Sequence, residues 1–173
     1  MKITARLLEK TATPLSHKDF VKGNVFKVAC EPDLRYAWDD GVAIGRYLKA
    51  LKQGRIMAKR CRECNRIMLP PRMFCERCWR ITDEWVPVED TGTVNTFAIS
   101  HVDWAAGRIP KGQRFFTPAV IEIDGASPGM GILHLLDEVE PDRIFIGMRV
   151  KAVWRPEAER VGAITDIKHF RPV

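Results

Sequence analysis

Cys61-Arg62-Glu63-Cys64, then ten residues, then Cys75-Glu76-Arg77-Cys78 is the stretch whose reading decides the fold. Each half is a C-x2-C pair. Two residues between cysteines let a tight turn aim both sulfurs at one point. Two such turns complete a tetrahedral cage of four thiolates, with Zn–S bonds of about 2.3 Å. A cage closed by four protein ligands leaves no position for water or substrate, so the expected zinc ion is structural. Iron fits the same tetrathiolate. A redox reading is weaker, because there are two pairs and no β-α-β context around them. Arg60, Arg62, Arg66, Arg72, Arg77 and Arg80 surround the cysteines in sequence and are expected to offset the charge of about −2 on the cage.

Working outward, residues 41–53 carry a helical pattern. Val42, Ile44, Tyr47, Leu48 and Leu51 fall roughly on one face, Asp39 or Asp40 caps the start, and Gly54 is the stop. Arg55 to Arg60 reads as the strand that delivers Cys61. Residues 1–40, broken by Pro14, Gly23, Asn24 and Pro32, read as an extended arm.

After Cys78 the pattern changes to short strands with turn signals between them. Trp85–Glu89, Thr93–His101, Ala119–Ile123, Ile132–Leu136, Arg149–Trp154 and Ala163–Phe170 are the expected strands. Asp90-Thr91-Gly92 is an expected turn, and residues 102–117 an expected long loop holding Trp104, Phe115 and Phe116. Such a series points to a small sandwich or barrel. The fold class expected is mainly β: an N-terminal arm over 1–40, a helix plus zinc ribbon over 41–82, and a barrel over 83–173.

The 173 residues are 46% apolar and 29% charged, an ordinary globular composition. No apolar run approaches the roughly 20 residues of a membrane helix. The first residues have no long apolar core before a small-residue cleavage site, so a secretory signal is not expected and a cytoplasmic location is. The net charge of +6 is unevenly spread. Residues 46–80 hold 11 Lys and Arg against 2 Asp and Glu, whereas residues 81–140 hold 3 against 10. A basic stretch meets phosphate, an anionic cofactor or an acidic partner.

No catalytic constellation is legible. Cys30 has no histidine or helix start beside it, and His17, His101, His134 and His169 are scattered. His134, between Leu133 and Leu135, is expected to be a barrel residue with a satisfied ring. His101 and Asp103 open the long loop and are expected on its surface.

Further motifs stand in order along the chain. Leu69-Pro70-Pro71-Arg72 lies between the cysteine pairs, followed by Glu84-Trp85-Val86-Pro87-Val88, Thr91-Gly92-Thr93-Val94 and Phe97. Thr117-Pro118-Ala119-Val120-Ile121-Glu122-Ile123-Asp124-Gly125, Ile146-Gly147-Met148-Arg149-Val150 and Phe170-Arg171-Pro172 complete the set. From about Gly41 to the C-terminus the chain resembles the family of zinc-ribbon and OB-fold proteins associated with acyl-CoA enzymes.

That resemblance implies a rubredoxin-like ribbon followed by an OB barrel. It also implies an accessory role beside a thiolase-like large subunit, with hydratases, dehydrogenases and aldolases as other partners. The partner carries the catalytic residues, and the small subunit helps enclose the acyl-CoA. A coenzyme A thioester is then the ligand of the complex, and a heterotetramer the expected assembly. Arg72, Trp104, Phe115 and Phe116 are the residues expected to contact acyl-CoA or the partner. The alternative is a nucleic-acid-binding module, since zinc ribbons and OB folds both serve that purpose. The acidic charge of 81–140 speaks against it, because backbone affinity comes largely from Lys and Arg.

Overall fold

The computed structural model describes residues 16–25, 39–102, 107–110, 113 and 116–173. The chain divides into two compact units, Met1–Trp38 and Asp39–Val173. In the first, α1 is a short helix, His17–Val21. The Asp19 carboxylate accepts from the Ser16 hydroxyl and backbone N–H at 2.6 and 2.8 Å. No helix among the described residues is long and apolar enough to cross a membrane.

The second unit opens with α2, Gly41–Lys52. Asp39 Oδ1 accepts the Gly41 N–H at 2.8 Å and satisfies one of the orphan donors at the helix start. Ala43, Tyr47, Ala50 and Leu51 are buried. Val42, expected on the apolar face, is instead 70% exposed. Ala43 takes the inward place, since Ala43, Tyr47, Ala50 and Leu51 keep the three- and four-residue spacing of one helix face. Gly54 ends the helix at φ 71°, a left-handed conformation that favours glycine.

A three-stranded antiparallel sheet follows, ordered β2-β1-β3: β1 is Ile56–Arg60, β2 Ile67–Met68 and β3 Glu84–Val88. The strand that sequence places first in the barrel is β3, and it pairs along its whole length with β1, from Ile56–Val88 to Arg60–Glu84. Only Glu89 and Asp90 separate it from the next strand.

The second sheet is ordered β6-β5-β4-β7-β8, all antiparallel. Its strands are β4 Thr91–Phe97, β5 Pro118–Ile123, β6 Gly131–Leu135, β7 Arg149–Trp154 and β8 Ile167–Pro172. Thr91 and Gly92 lie in β4 rather than in the expected turn. A Cβ on Gly92 would stand 2.3 Å from the Glu122 carbonyl oxygen, so the glycine serves a close backbone approach. The last strand starts at Ile167, because a 3-10 turn, Ile164–Asp166, occupies the expected beginning. Buried Asp166 accepts the N–H groups of Val161, Gly162 and Ala163 at 2.9, 2.8 and 3.1 Å, which holds that turn.

Bulges at Val94/Thr96 and Val153/Trp154 bend the strands. The sheet curls until its edges approach through a parallel bridge between Leu136 and Phe170 and the bond from Asp137 N–H to Phe170 O at 2.9 Å. No continuous ladder joins β6 to β8 among the described residues, so this is an open OB-type sheet and not a closed barrel.

One core serves both sheets. Ribbon residues Cys61, Met68, Leu69 and Cys75 belong to the same buried cluster as Ile121, Val150 and Phe170. At the junction the Ile67 N–H donates to Ser127 Oγ at 2.8 Å, and the Ser127 N–H returns to Ile67 O at 3.0 Å.

Candidate metal centre and neighbouring surfaces

The two cysteine turns are built alike. Cys61 N–H donates to Arg66 O and Cys75 N–H to Arg80 O, both at 2.9 Å, so each turn spans six residues. The residue after each second cysteine is left-handed: Asn65 at φ 56° and Trp79 at φ 52°. Asparagine tolerates that conformation, whereas a bulky tryptophan adopts it rarely. The repeat of the geometry at Trp79 shows how strongly the turn demands it.

The turns bring four sulfurs together. Cys61, Cys64, Cys75 and Cys78 Sγ atoms all lie within 4.8 Å of one another, and Cys64 Sγ is 3.6 Å from Cys75 Sγ. A tetrahedron with metal–sulfur bonds of about 2.3 Å has edges of about 3.8 Å, so the set fits a four-coordinate metal with small adjustment. Cys61 and Cys75 are buried, Cys78 is half-buried and Cys64 exposed. Crowding separates the thiols in acidity. Burial pushes the Cys75 thiol up, but N–H groups of Cys78 and Arg77 and the neighbouring thiols outweigh it and bring it down to about 7. Hydrogen bonding to Cys64, together with burial, pushes Cys78 up to about 12. A bound cation resolves this conflict, since a coordinating thiol is deprotonated outright.

The surrounding arginines do less for the cage than sequence suggests, because carboxylates hold four of the six. Arg60 pairs with Glu84 at 3.8 Å, Arg66 with Glu76 at 2.5 Å, Arg72 with Glu76 at 3.7 Å, and Arg80 with Glu63 and Asp83 at 3.1 and 3.4 Å. Arg72, expected at a ligand or partner, thus spends part of its charge inside the ribbon, with its side chain 53% exposed.

Of the other expected contact residues, Trp104 and Phe115 lie outside the described residues, as does Cys30. Phe116 is described and 43% exposed, bridged to Ser100. It lines a cavity of about 250 Å³ with Thr117, Leu135, Asp137, Lys168 and His169. The structure therefore does not bring Arg72 and Phe116 into one described site. His134 has a satisfied ring: Nδ1 accepts the Leu135 N–H at 2.9 Å and Nε2 lies 3.3 Å from Ile164 O. Burial draws its pKa below the ordinary value.

Two features escaped sequence reasoning. His169, buried in β8, bonds through Nε2 to Glu138 Oε1 at 2.8 Å, and Glu138 is left-handed at φ 57°. The contact joins residues 31 apart, so no local signal marks it. The second is a groove of about 320 Å³ lined by Arg46, Lys49, Ala50, Gln53, Arg55 and Met57. Its signal was present, since Gly41 to Arg62 contains no Asp or Glu. The larger charge count over 46–80 hid it.

Two family models match in tandem: "ChsH2, rubredoxin-like zinc ribbon domain" over residues 48–81 and "ChsH2, C-terminal OB-fold domain" over residues 85–155. The chain belongs to this zinc-ribbon and OB-fold family. A DUF35 domain-containing scaffold protein of Methanocaldococcus jannaschii is 27% identical over 143 residues, covering 81% of this chain and 97% of that relative. A probable enoyl-CoA hydratase alpha subunit of Thermomonospora curvata is 28% identical over 108 residues, but the match spans only 32% of its length.

Among solved structures, the Ltp2-ChsH2(DUF35) aldolase superposes with a TM-score of 0.55 at 25% identity over 80% of this chain and 98% of that one. A DUF35-family protein of unknown function from Sulfolobus solfataricus gives 0.50 at 22% identity over 62% and 75%, a likeness of fold alone. By their own descriptions these relatives are a scaffold protein, a probable hydratase subunit and part of an aldolase complex.

Proposed function

We propose that this chain is a non-catalytic accessory subunit of a thiolase-type acyl-CoA enzyme that forms or breaks carbon–carbon bonds. It stabilises the large subunit and helps enclose the acyl-CoA. The observation that supports the accessory-subunit part of this reading is the superposition of 80% of this chain on 98% of a chain of the Ltp2-ChsH2(DUF35) aldolase. One Zn²⁺ held by Cys61, Cys64, Cys75 and Cys78 is the structural ion of the ribbon. It fixes two turns that cannot bury enough apolar surface to hold themselves.

In this reading residues 1–40 form the docking arm, 41–82 the helix and ribbon, and 83–173 the OB module, and the assembly is a cytoplasmic heterotetramer. Phe116, half-exposed beside its cavity, is the described candidate for contact with the acyl-CoA or the large subunit. A second reading, a hydratase or aldolase as the partner, draws on the hydratase subunit and the aldolase among the relatives.

The test is affinity capture of the tagged chain from its own source, followed by mass spectrometry and assay of the isolated pair. A thiolase-like subunit in stoichiometric amount, with CoA-dependent cleavage or condensation, is the expected result. A hydratase or aldolase in its place selects the second reading. Recovery of the chain alone, or with nucleic acid, overturns both.

A further inference from the structure

α2 and β1 put one kind of side chain on facing surfaces. Arg46, Lys49, Ala50 and Gln53 follow the three- and four-residue spacing of one helix stripe. Met57 and Lys59 alternate along the strand and share a face, and Arg55 immediately precedes it. Between them lies the 320 Å³ groove, with half-buried Met57 and buried Ala50 as its apolar floor.

The cations here differ from those of the ribbon. Among the described residues none of Arg46, Lys49, Arg55 and Lys59 makes an ion pair. Arg55 donates to the neutral Gln53 side chain. Arg46 and Lys59 both lie on the Trp85 ring, at 4.8 and 5.3 Å from its centroid. Lys59 is 5% exposed, and its ammonium lies on that ring. Asp83, whose charge reaches Lys59, is itself taken by the Arg62 N–H and by Arg80. Like charges gathered without a carboxylate repel one another, and an anion in the groove converts that cost into attraction.

We propose that the α2–β1 groove binds the phosphate-bearing nucleotide end of a CoA thioester, with Arg46, Lys49 and Arg55 on the phosphates. This rests on the reading of the chain as an acyl-CoA enzyme's partner, which supplies the identity of the anion. Two guanidinium forks suit phosphate oxygens bidentately, and Lys49 adds a mobile point charge. The groove holds one end of the cofactor and leaves the acyl end free to reach the partner.

The probe is 3′-phospho-ADP, titrated calorimetrically into the full metal-loaded chain at low and at moderate salt. The expected result is saturable one-to-one binding that weakens with salt and falls at least tenfold in Lys49→Gln/Arg55→Gln. Both side chains are exposed, so this variant keeps the fold, and circular dichroism and metal content verify that. The single charge reversal Lys49→Glu gives an independent loss. No saturable binding, or equal binding by the variants, overturns the proposal. If instead the double variant loses the captured enzyme while neither protein binds nucleotide, the groove is a protein-docking face and the proposal falls. Capture of the enzyme without nucleotide binding removes the groove assignment alone. Nucleotide binding with no captured enzyme removes the partner reading and leaves the groove.

Discussion

The cysteine loops of the ribbon, residues 60–82, and the sheet β4–β8 are held by different forces. Between Arg60 and Thr82 the ribbon buries Cys61, Met68, Leu69 and Cys75 among its larger apolar side chains, and two of these are thiols. Pro71 and Thr82 are buried as well, and the Thr82 hydroxyl donates to Arg72 O at 2.7 Å. Partly exposed ion pairs such as Arg80–Glu63 and Arg72–Glu76 contribute roughly 0–1 kcal/mol each. The five-stranded sheet buries Val94, Ile121, Ile123, Ile132, Val150, Ile167 and Phe170. Each such side chain contributes roughly 1.5–3 kcal/mol on burial. One half of the unit is therefore a candidate for dependence on a metal, and the other half is not.

The largest effect should come from metal removal. Structural zinc supplies about 10–16 kcal/mol of apparent binding free energy in small finger peptides at neutral pH, far more than the ribbon's own contacts. Chelation is expected to expose the amides of residues 61–82 to hydrogen exchange while β5 and β7 stay protected. Cys75→Ser should do the same without chelator. Exchange that speeds up equally in both regions would break the comparison, because the shared core would then make them one cooperative unit.

Next in size is Asp166, which holds the loop of residues 161–163 from the 3-10 turn ahead of β8. Replacing it with Ala orphans three N–H groups and should cost roughly 2–4 kcal/mol in urea unfolding. Burial works to raise its pKa, but the three donors prevail and hold it below the ordinary value. A carboxylate depressed in the folded state stabilises above its unfolded pKa of about 3.9, and that stability is lost as pH falls through the folded value. Asp166→Asn should therefore flatten the acid side of the stability curve. An unchanged slope in that variant would mean that other carboxylates, Asp124 with its Arg149 partner among them, carry the acid sensitivity.

The two halves were also unequally legible in the sequence. The ribbon could be read from spacing alone, since C-x2-C pairs constrain geometry locally. The strands of the second sheet are legible by alternation and turn residues, but the pairing of β3 with β1 is not. Nothing in Glu84-Trp85-Val86-Pro87-Val88 says which neighbour it pairs with, because pairing is decided by where β1 already lies. Gly92 reads as a turn residue because a glycine that lets two backbones approach looks the same in sequence as one that turns the chain. The sites divide likewise. The four cysteines are clustered in sequence and in space, whereas His169–Glu138 and the α2–β1 groove depend on tertiary contact.

The smallest expected effect concerns α2, which lies between the two halves. Tyr47 is 3% exposed, and its hydroxyl has no hydrogen-bond partner among the described residues. Burial raises its pKa, so the group stays neutral. An orphaned buried hydroxyl is a cost that Phe does not carry, and the ring is kept. Tyr47→Phe should gain about 1 kcal/mol, a rise of roughly 2–4 °C in Tm for a chain of this size. A loss of stability would mean that the hydroxyl is bonded after all, for instance to water. Repeating the pair of measurements on metal-depleted protein assigns α2 to one region or the other. If α2 melts with the ribbon, the gain disappears from the remaining transition. If the gain persists, α2 belongs to the sheet that the metal does not hold.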